Sequence, residues 1–321
     1  MNKEPLSAAV LGATGYTGQE LVGLLERHPK LRATYVTSES EAGQPAAGGR
    51  LRYVSAAEVP LGEVDVVFCC LPHGEAESWA LKARAAGSRV VDLSADLRDG
   101  RHGAVYGLPE LWRESVRGAE LVANPGCYPT GILLGLAPLL AAGLVDGARP
   151  VLVDAASGVT GAGRTAKQDL LFGEVAEDYR AYGVGNTHRH VPEIARGLNS
   201  VTGEKVAFVF TPHLLPVRRG ILETLYVPVA AGVSARAVVA AWQRAYESEP
   251  FVEVWPAGLP SLRTSVGRNV VALGAADIEG VDSPLVLAVA SLDNLVKGAA
   301  GQALQNANLM LGLCEHEGLP R

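Results

Sequence analysis

The residue of this sequence best placed to act as a nucleophile is Cys127, at the centre of Leu121–Gly131, L-V-A-N-P-G-C-Y-P-T-G. Leu121–Ala123 reads as the end of a strand, Asn124, Pro125 and Gly126 as a turn, and Pro129 and Thr130 as the opening of a helix over Ile132–Ala142. A thiol carried in such a turn meets amide N–H groups and the positive end of a helix dipole, both of which favour thiolate. A small packing residue is the plainer alternative, so the surrounding residues decide. Ala156–Lys167, A-S-G-V-T-G-A-G-R-T-A-K, offers N–H groups, the hydroxyls of Ser157, Thr160 and Thr165, and the cations Arg164 and Lys167. That set suits an oxyanion such as phosphate; a mobile connector is the alternative. Tyr182–Glu193 reads Y-G-V-G-N-T-H-R-H-V-P-E. In an extended chain His188 and His190 share one side with Arg189 opposite, and Glu193 falls just inside a helix opened by Pro192. Two histidines suit a metal, but no third ligand lies close in sequence. A cysteine nucleophile, a histidine base and an arginine for substrate charge form the more economical set, and no metal is expected.

These groups need elements to hold them, and the first half of the chain alternates strand with helix. Ala8–Leu11 runs into G-A-T-G-Y-T-G, with Gly12, Gly15 and Gly18 three residues apart, and Leu21, Val22, Leu24 and Leu25 mark a helix over Thr17–Glu26. A strand, a glycine turn and a helix leave N–H groups where a pyrophosphate can sit. Leu31–Thr37, the second strand, leads to Ser38, Glu39 and Ser40. The two serines are candidates to bond a phosphate or a ribose hydroxyl, whereas Glu39 facing the ribose would favour an unphosphorylated one. Arg50 and Arg52, around the flexible Gly43–Gly49, are candidate ligands for a 2′-phosphate. Val64–Cys70 is apolar like a strand covered on both faces and ends in Leu71-Pro72-His73-Gly74. Cys69 and Cys70 read as core. A helix over Glu75–Ala86 precedes the strand Arg89–Leu93, which delivers Ser94, Asp96 and Arg98 to the same edge, Arg98 as an anion clamp. Val105–Leu111 reads as a short turn.

Beyond Gly143 and Gly147 the pattern becomes strand-rich. Pro150–Ala156, Val184–Asn186, Val206–Thr211, Ile221–Val229, Phe251–Trp255, Asn269–Asp277 and Pro284–Leu292 read as strands. Lys167–Tyr179, Pro192–Ser200 and Ser234–Ser248 read as helices. A mixed, largely antiparallel sheet with helices on one face follows, its other face open to a partner chain and Val206–Val229 the main contributor. Asp293–Leu313 is a last helix, returning to the first domain. With 321 residues, two domains are expected: residues 1–145 joined by 294–321, and residues 146–293. The fold class is α/β, an N-terminal Rossmann-type dinucleotide-binding domain plus an α+β catalytic and oligomerisation domain.

Composition narrows the setting. A chain 48% hydrophobic and 19% charged is an ordinary globular protein, and a net charge of -6 gives no general attraction to nucleic acid or anionic membrane. Met1–Ser7 reads as neither a signal peptide nor a membrane span. The four cysteines, at 69, 70, 127 and 314, lack zinc-finger spacing and are too sparse for a disulfide scaffold, which fits a reducing cytoplasm.

A reactive thiol beside a dinucleotide site points to chemistry between acyl and aldehyde levels, with cysteine carrying a thioester and a nicotinamide exchanging hydride with it. G-A-T-G-Y-T-G, L-P-H-G, D-L-S-A-D-L-R, N-P-G-C-Y-P-T, S-G-V-T-G-A-G-R, H-R-H-V-P-E and D-N-L-V-K-G-A-A-G-Q-A follow in the order of the N-acetyl-gamma-glutamyl-phosphate reductases. The chain resembles that family along essentially its whole length. The family is similar in fold and mechanism to aspartate-semialdehyde and glyceraldehyde-phosphate dehydrogenases. The resemblance implies NADPH-dependent reductive dephosphorylation of N-acetyl-L-glutamyl 5-phosphate to the 5-semialdehyde and phosphate, in arginine biosynthesis, by a homodimer or homotetramer. It implies Cys127 as nucleophile with His188 or His190 assisting. The candidate substrate contacts are Arg98, Asn124, Ser157, Arg164, Lys167, Tyr182, Arg189 and Glu193. Cofactor contacts would come from Gly12, Thr14, Gly15, Tyr16, Thr17, Gly18, Ser38, Ser40, Pro72 and Asn294, the last near the nicotinamide. Glu39 stands where the family often has a basic residue, so NADP(H) preference with some NAD(H) tolerance is expected. The alternatives are a reductase of carrier-linked aminoadipyl or glutamyl phosphate, an aspartate-semialdehyde dehydrogenase, against which H-R-H-x-P-E speaks, and a nucleotide sensor in which Cys127 only packs.

Overall fold

In the computed structural model, which describes residues 4–46 and 48–321, the chain divides into two units. One comprises Met1–Gly126 and Ala299–Pro320, the other Cys127–Gly298 with Arg321. Residues 1–3 of the Met1–Ser7 stretch, and Ala47 within Gly43–Gly49, lie outside the described residues.

The first unit runs β1 (Leu6–Leu11), α1 (Tyr16–Arg27), β2 (Leu31–Thr37), β3 (Tyr53–Val54), β4 (Val66–Cys69), α2 (Ala76–Ala85), β5 (Arg89–Asp92), β6 (Val105–Tyr106), α3 (Pro109–Val116) and β7 (Leu121–Ala123). Its sheet is parallel throughout, in the order β3-β2-β1-β4-β5-β7-β6. Val66, Val67, Phe68 and Cys69 are wholly buried, as a strand covered on both faces requires. Helix α1 buries the expected stripe of Leu21, Val22, Leu24 and Leu25. Val105–Leu111 is not a single turn. It gives the edge strand β6 and the start of α3, where Pro109 sits in the first helical turn with its fixed φ.

The second unit runs α4 (Cys127–Ala141), β8 (Val151–Gly158), α5 (Phe172–Val175), β9 (Arg180–Ala181), α6 (Val191–Thr202), β10 (Phe208–Leu215), β11 (Ile221–Pro228), α7 (Ala235–Ala245), β12 (Val252–Val254), α8 (Leu262–Ser265), β13 (Val271–Asp277) and β14 (Leu285–Leu292). A π-helical turn, Val296–Ala300, then leads to α9 (Gly301–Met310), which belongs with the first unit. The sheet order is β12-β13-β14-β11-β8-β10-β9, with β8/β10 and β12/β13 parallel and the remaining pairs antiparallel. Two expected elements are absent as such. Lys167–Tyr179 is a 3-10 turn, Gln168–Leu170, followed by the single-turn α5, and Glu177 at φ 63° stops any continuation. Val184–Asn186 is a turn, because Gly183, Gly185 and Asn186 all take positive φ.

Helix α4 explains why the division falls after Gly126 rather than after residue 145. It is apolar all round and buried from Tyr128 to Leu139, so it packs as core. Trp242 Nε1 donates to the Gly135 carbonyl at 2.8 Å and the Tyr246 hydroxyl to the Leu134 carbonyl at 2.7 Å, which ties α4 to α7 and the residue after it. At the other end the division lies between Gly298 and Ala299 rather than at residue 294. Helix α9 is buried along its length and carries amides: Asn306 Nδ2 bonds the Gly107 carbonyl and Asn124 Oδ1, and Asn308 Oδ1 meets His28 Nε2. Buried amides need such partners, and here they bind the helix to the strand edges of the first unit.

On β11 the alternation buries Ile221, Glu223, Leu225 and Val227 toward α4. Glu223 is the anomaly, fully buried with neither carboxyl oxygen hydrogen-bonded and its side chain against Gly131 of α4. Burial raises its pKa well above 4.5, so the folded protein keeps a proton that the unfolded chain releases. Stability from this group is therefore complete below about pH 4.5 and declines as pH rises toward the folded pKa, by up to about 1.4 kcal/mol per pH unit. In Glu223→Gln the loss of Tm between pH 5.5 and 8.5 should be smaller than in wild type. Equal losses, measured by calorimetry, would place the pH dependence elsewhere.

Candidate active site

Cys127 is the first residue of α4 rather than a turn residue ahead of it, so its thiol stands at the unsatisfied N–H end of a buried helix. Partly exposed, it opens into a cavity of about 300 Å³ within the second unit. Ser157, Lys167, Tyr182, His188, Arg189 and His190 line that cavity, so six further expected residues meet the nucleophile there.

The histidine segment is a turn, not a strand, and Arg189 faces the same cavity as its neighbours instead of the opposite side. His188 and His190 lie 4.8 Å apart between ring centroids. The backbone N–H of His190 donates to His188 Nδ1 at 3.1 Å, which leaves the ring proton of neutral His188 on Nε2. Burial, then the charge of Arg189, lowers the His188 pKa to about 4, so this imidazole is neutral at pH 7. Gly183, at φ 54°, stacks its backbone on His188; a β-carbon there would stand 3.2 Å from His188 Cβ. Tyr128 packs edge-on against His188, His190 and Phe210 and shares a 3.0 Å hydroxyl contact with Tyr182. Its burial pushes the phenol pKa far up, so Tyr128 serves as a neutral wall and hydrogen-bonding group.

Tyr128, Asp169, Arg180 and Leu214 also line the cavity, though none is marked as a site residue by the sequence. Tyr128 was legible in principle, being adjacent to Cys127 in a helix. Arg180 was not, because the pairing of β9 with β10 brings it in from a loop with no local signal.

Five expected contact residues are not among those lining the cavity. Arg98 is buried and donates to the carbonyls of Asn124 (2.9 Å) and Leu93 (3.1 Å), bracing the turn before Cys127 instead of presenting an open anion clamp. Asn124 is buried too, its amide donating to the Ala299 carbonyl and accepting from Asn306. Asn294 spends both amide ends within the second unit, accepting from Gly220 N at 2.7 Å and donating to Thr160 Oγ1 at 2.9 Å. Glu193 is buried in the first turn of α6, and neither it nor the exposed Arg164 is among the cavity-lining residues.

The first unit holds the nucleotide cradle. Gly12 takes φ +79°, and a β-carbon there would lie 2.5 Å from the Cys70 carbonyl oxygen. At Gly18 it would lie 2.5 Å from the Gly12 carbonyl oxygen and 2.7 Å from Ala13 Cα. At Gly15, the N-cap of α1, its nearest neighbour would be 3.7 Å away. Glycine is thus sterically required at two positions, and the third leaves an open approach to a helix start that no side chain caps, which fits a pyrophosphate. Thr14, Tyr16 and Thr17 lie in this turn and helix start, Ser38 and Ser40 just after β2, and Pro72 after β4.

Comparison with known proteins agrees with this architecture. Residues 7–119 match the semialdehyde dehydrogenase NAD-binding domain, and residues 127–294 the semialdehyde dehydrogenase dimerisation domain. Aspartate semialdehyde dehydrogenase II of Vibrio cholerae has the same fold (TM-score 0.79, 20% identity, 97% of this chain and 99% of that one). A probable aspartate-semialdehyde dehydrogenase of Pseudomonas aeruginosa is similar (TM-score 0.76, 26% identity, 96% and 99%). The architecture is that of the semialdehyde dehydrogenases. At the level of sequence, the N-acetyl-gamma-glutamyl-phosphate reductases of Geobacter sp. (strain M21) and Azotobacter vinelandii (strain DJ) are 45% and 46% identical, each over 98% of both chains. The chain belongs to the N-acetyl-gamma-glutamyl-phosphate reductase family.

Proposed function

We propose that this chain reduces N-acetyl-L-glutamyl 5-phosphate to N-acetyl-L-glutamate 5-semialdehyde and phosphate at the expense of NADPH, through a thioester on Cys127, in arginine biosynthesis. The observation that carries the reading is a helix-start thiol in a cavity that also holds a neutral imidazole and the cations Lys167, Arg180 and Arg189. Cys127 Sγ attacks the 5-acyl carbon, the C–S bond forms, and the C–O bond to phosphate breaks with the electron pair leaving on phosphate. Lys167 and Arg189 balance the charge of the acyl phosphate and of the departing anion, while Arg180 is paired with Asp178 and donates to the Asp169 and Glu174 carbonyls. NADPH, when bound, would supply the hydride for reduction of the thioester carbon. His188, with its proton on Nε2, donates to the oxygen on which negative charge then develops, and the C–S bond breaks to release the aldehyde and the thiolate. His190 orients His188 through its backbone N–H.

With the His188 pKa near 4, kcat/KM should show no acid limb centred near pH 6.5. A limb there, removed in His188→Asn, would mean that the imidazole titrates as an ordinary histidine and is not the neutral donor. The reaction itself is tested in reverse, with the semialdehyde, phosphate and NADP+, beside aspartate semialdehyde and aminoadipate semialdehyde. Faster turnover of either competitor overturns the substrate assignment. Ser38 and Ser40, with Arg50 and Arg52 nearby in sequence, support NADP(H) over NAD(H), and kcat/KM for the two cofactors decides the preference.

The protein is proposed to be a cytoplasmic homodimer or homotetramer. Val209, Leu152, Tyr226 and Leu287 stand side by side across β10, β8, β11 and β14, on the face turned away from α4. Leu152 and Val209 are exposed, and burying such an apolar row is a usual reason for subunit pairing. Sedimentation should give a dimer or larger at micromolar concentration, and a stable monomer refutes it. Among the described residues no helix is long and apolar enough to cross a membrane, and the four cysteines are free, which supports a reducing compartment.

A further inference from the structure

We propose that Ser55 is a positioning residue for cofactor choice, holding the Glu39 carboxylate on the β3 side of β2 and so away from the adenosine ribose; the inference rests on the NADP(H) reading above. The end of β2 has a different neighbour on each side. Toward β1, Thr37 Oγ1 accepts from Gly12 N at 3.0 Å and the Thr37 carbonyl from Ala13 N at 2.9 Å, which joins β2 to the glycine cradle. Toward β3, Ser38 N donates to the Val54 carbonyl at 3.1 Å, so the chain leaving β3 runs beside the residues after β2. Glu39 reaches to this second side. Its carboxylate accepts from Ser55 Oγ at 2.9 and 3.2 Å and from Ala56 N at 2.9 Å.

Ser55 is itself held, since its N–H donates to Glu58 Oε2 at 2.8 Å and its Oγ accepts from Ala57 N at 3.4 Å. The donors at Ala56 and Ser55 also lower the Glu39 pKa, so the group remains an anion at any working pH. In dinucleotide folds an acidic side chain after the second strand binds the ribose 2′-hydroxyl and thereby disfavours a 2′-phosphate. The same anion tethered toward β3 leaves the 2′ position to Ser38 and Ser40, whose hydroxyl oxygens stand 3.4 Å apart. An acidic residue at the position that usually signals NAD(H) is thus compatible with NADP(H), because Ser55 and Ala56 use its oxygens.

Binding of 2′,5′-ADP and 5′-AMP, measured by calorimetry on the full chain, isolates the adenosine end from turnover. Ser55→Ala should lower the preference for 2′,5′-ADP over 5′-AMP by about threefold to tenfold, the scale of one ordinary lost hydrogen bond. Ser55→Thr keeps a hydroxyl donor and should keep the ratio. Adding Glu39→Gln to Ser55→Ala should restore it, because the freed side chain no longer carries charge. An unchanged ratio in Ser55→Ala, or no restoration in the double variant, overturns the inference. If wild type binds both nucleotides equally, the NADP(H) reading fails, while a further shift toward 5′-AMP in Ser55→Ala would still support the tether.

Discussion

Cys127→Ser should lower kcat by several orders of magnitude while nucleotide binding at the glycine turn hardly changes. Serine keeps the size but holds its proton at neutral pH, so the helix start and the surrounding cations have no anionic nucleophile to stabilise. A packing cysteine would behave otherwise, with serine altering stability and leaving turnover in whatever remained folded. The thiol can also be read directly. Iodoacetamide at neutral pH should modify Cys127 ahead of Cys69 and Cys70, whose thiol pKa values are raised chiefly by burial. Cys314 is not shielded as a sparse buried cysteine would be. It is exposed, with its sulfur 3.4 Å from His316 Nδ1, so it is a competing target and the comparison belongs in a Cys314→Ser background. The acyl phosphate should slow alkylation of Cys127. Mass spectrometry after mixing enzyme with acyl phosphate, without NADPH, should find the acyl group on the peptide containing Cys127 alone. A folded Cys127→Ser protein with near-normal kcat would end the covalent mechanism.

Gly298→Ala should reduce kcat by about 10- to 100-fold with a smaller change in KM, because it displaces the nucleophile instead of removing a binding group. A β-carbon at 298 would stand 2.8 Å from Cys127 Cβ and 3.2 Å from Cys127 Cα and the Asp293 carbonyl. Neither neighbour is a flexible side-chain end, so Cys127 or the turn must move. The turn resists, since it is π-helical: Gly298 N donates to the Asp293 carbonyl five residues back at 2.8 Å. The Asp293 side chain, wholly buried, accepts from Leu295 N, Val296 N, Gly267 N and Arg219 Nε, which pins the start of the turn. Alkylation of Cys127 should slow in parallel with kcat. Gly147→Ala is the control, because no atom lies within 4 Å of its added β-carbon and its φ is not positive. Unaltered kcat and alkylation in Gly298→Ala would show that Cys127 tolerates displacement and that this close approach is packing alone.

What could be read from sequence was whatever short-range pattern dictates. The apolar run at Val66–Cys69, the period-two alternation of Ile221–Pro228 and the leucine stripe of α1 each imply their element and buried face without knowledge of a neighbour. Gly12 and Gly18 carry their own steric argument, and Cys127 is marked by a turn and a helix start only residues away. Tertiary structure decided matters that depend on distant partners. Helix α4 follows directly after the first unit yet packs with the second, because an apolar helix goes where it can be covered on every side. Which backbone groups Arg98 and Asn294 serve was invisible in sequence, since the carbonyls of Asn124 and Leu93 and the amide of Gly220 reach them only through the fold. Val184–Asn186 has strand-like chemistry only until its positive φ angles turn it, which sets Arg189 on the cavity side with His188. The direction of Glu39 was likewise undetermined by its neighbours in sequence. It was settled by a hydroxyl sixteen residues away, since the orientation of a charge depends on donors that only chain pairing brings within reach.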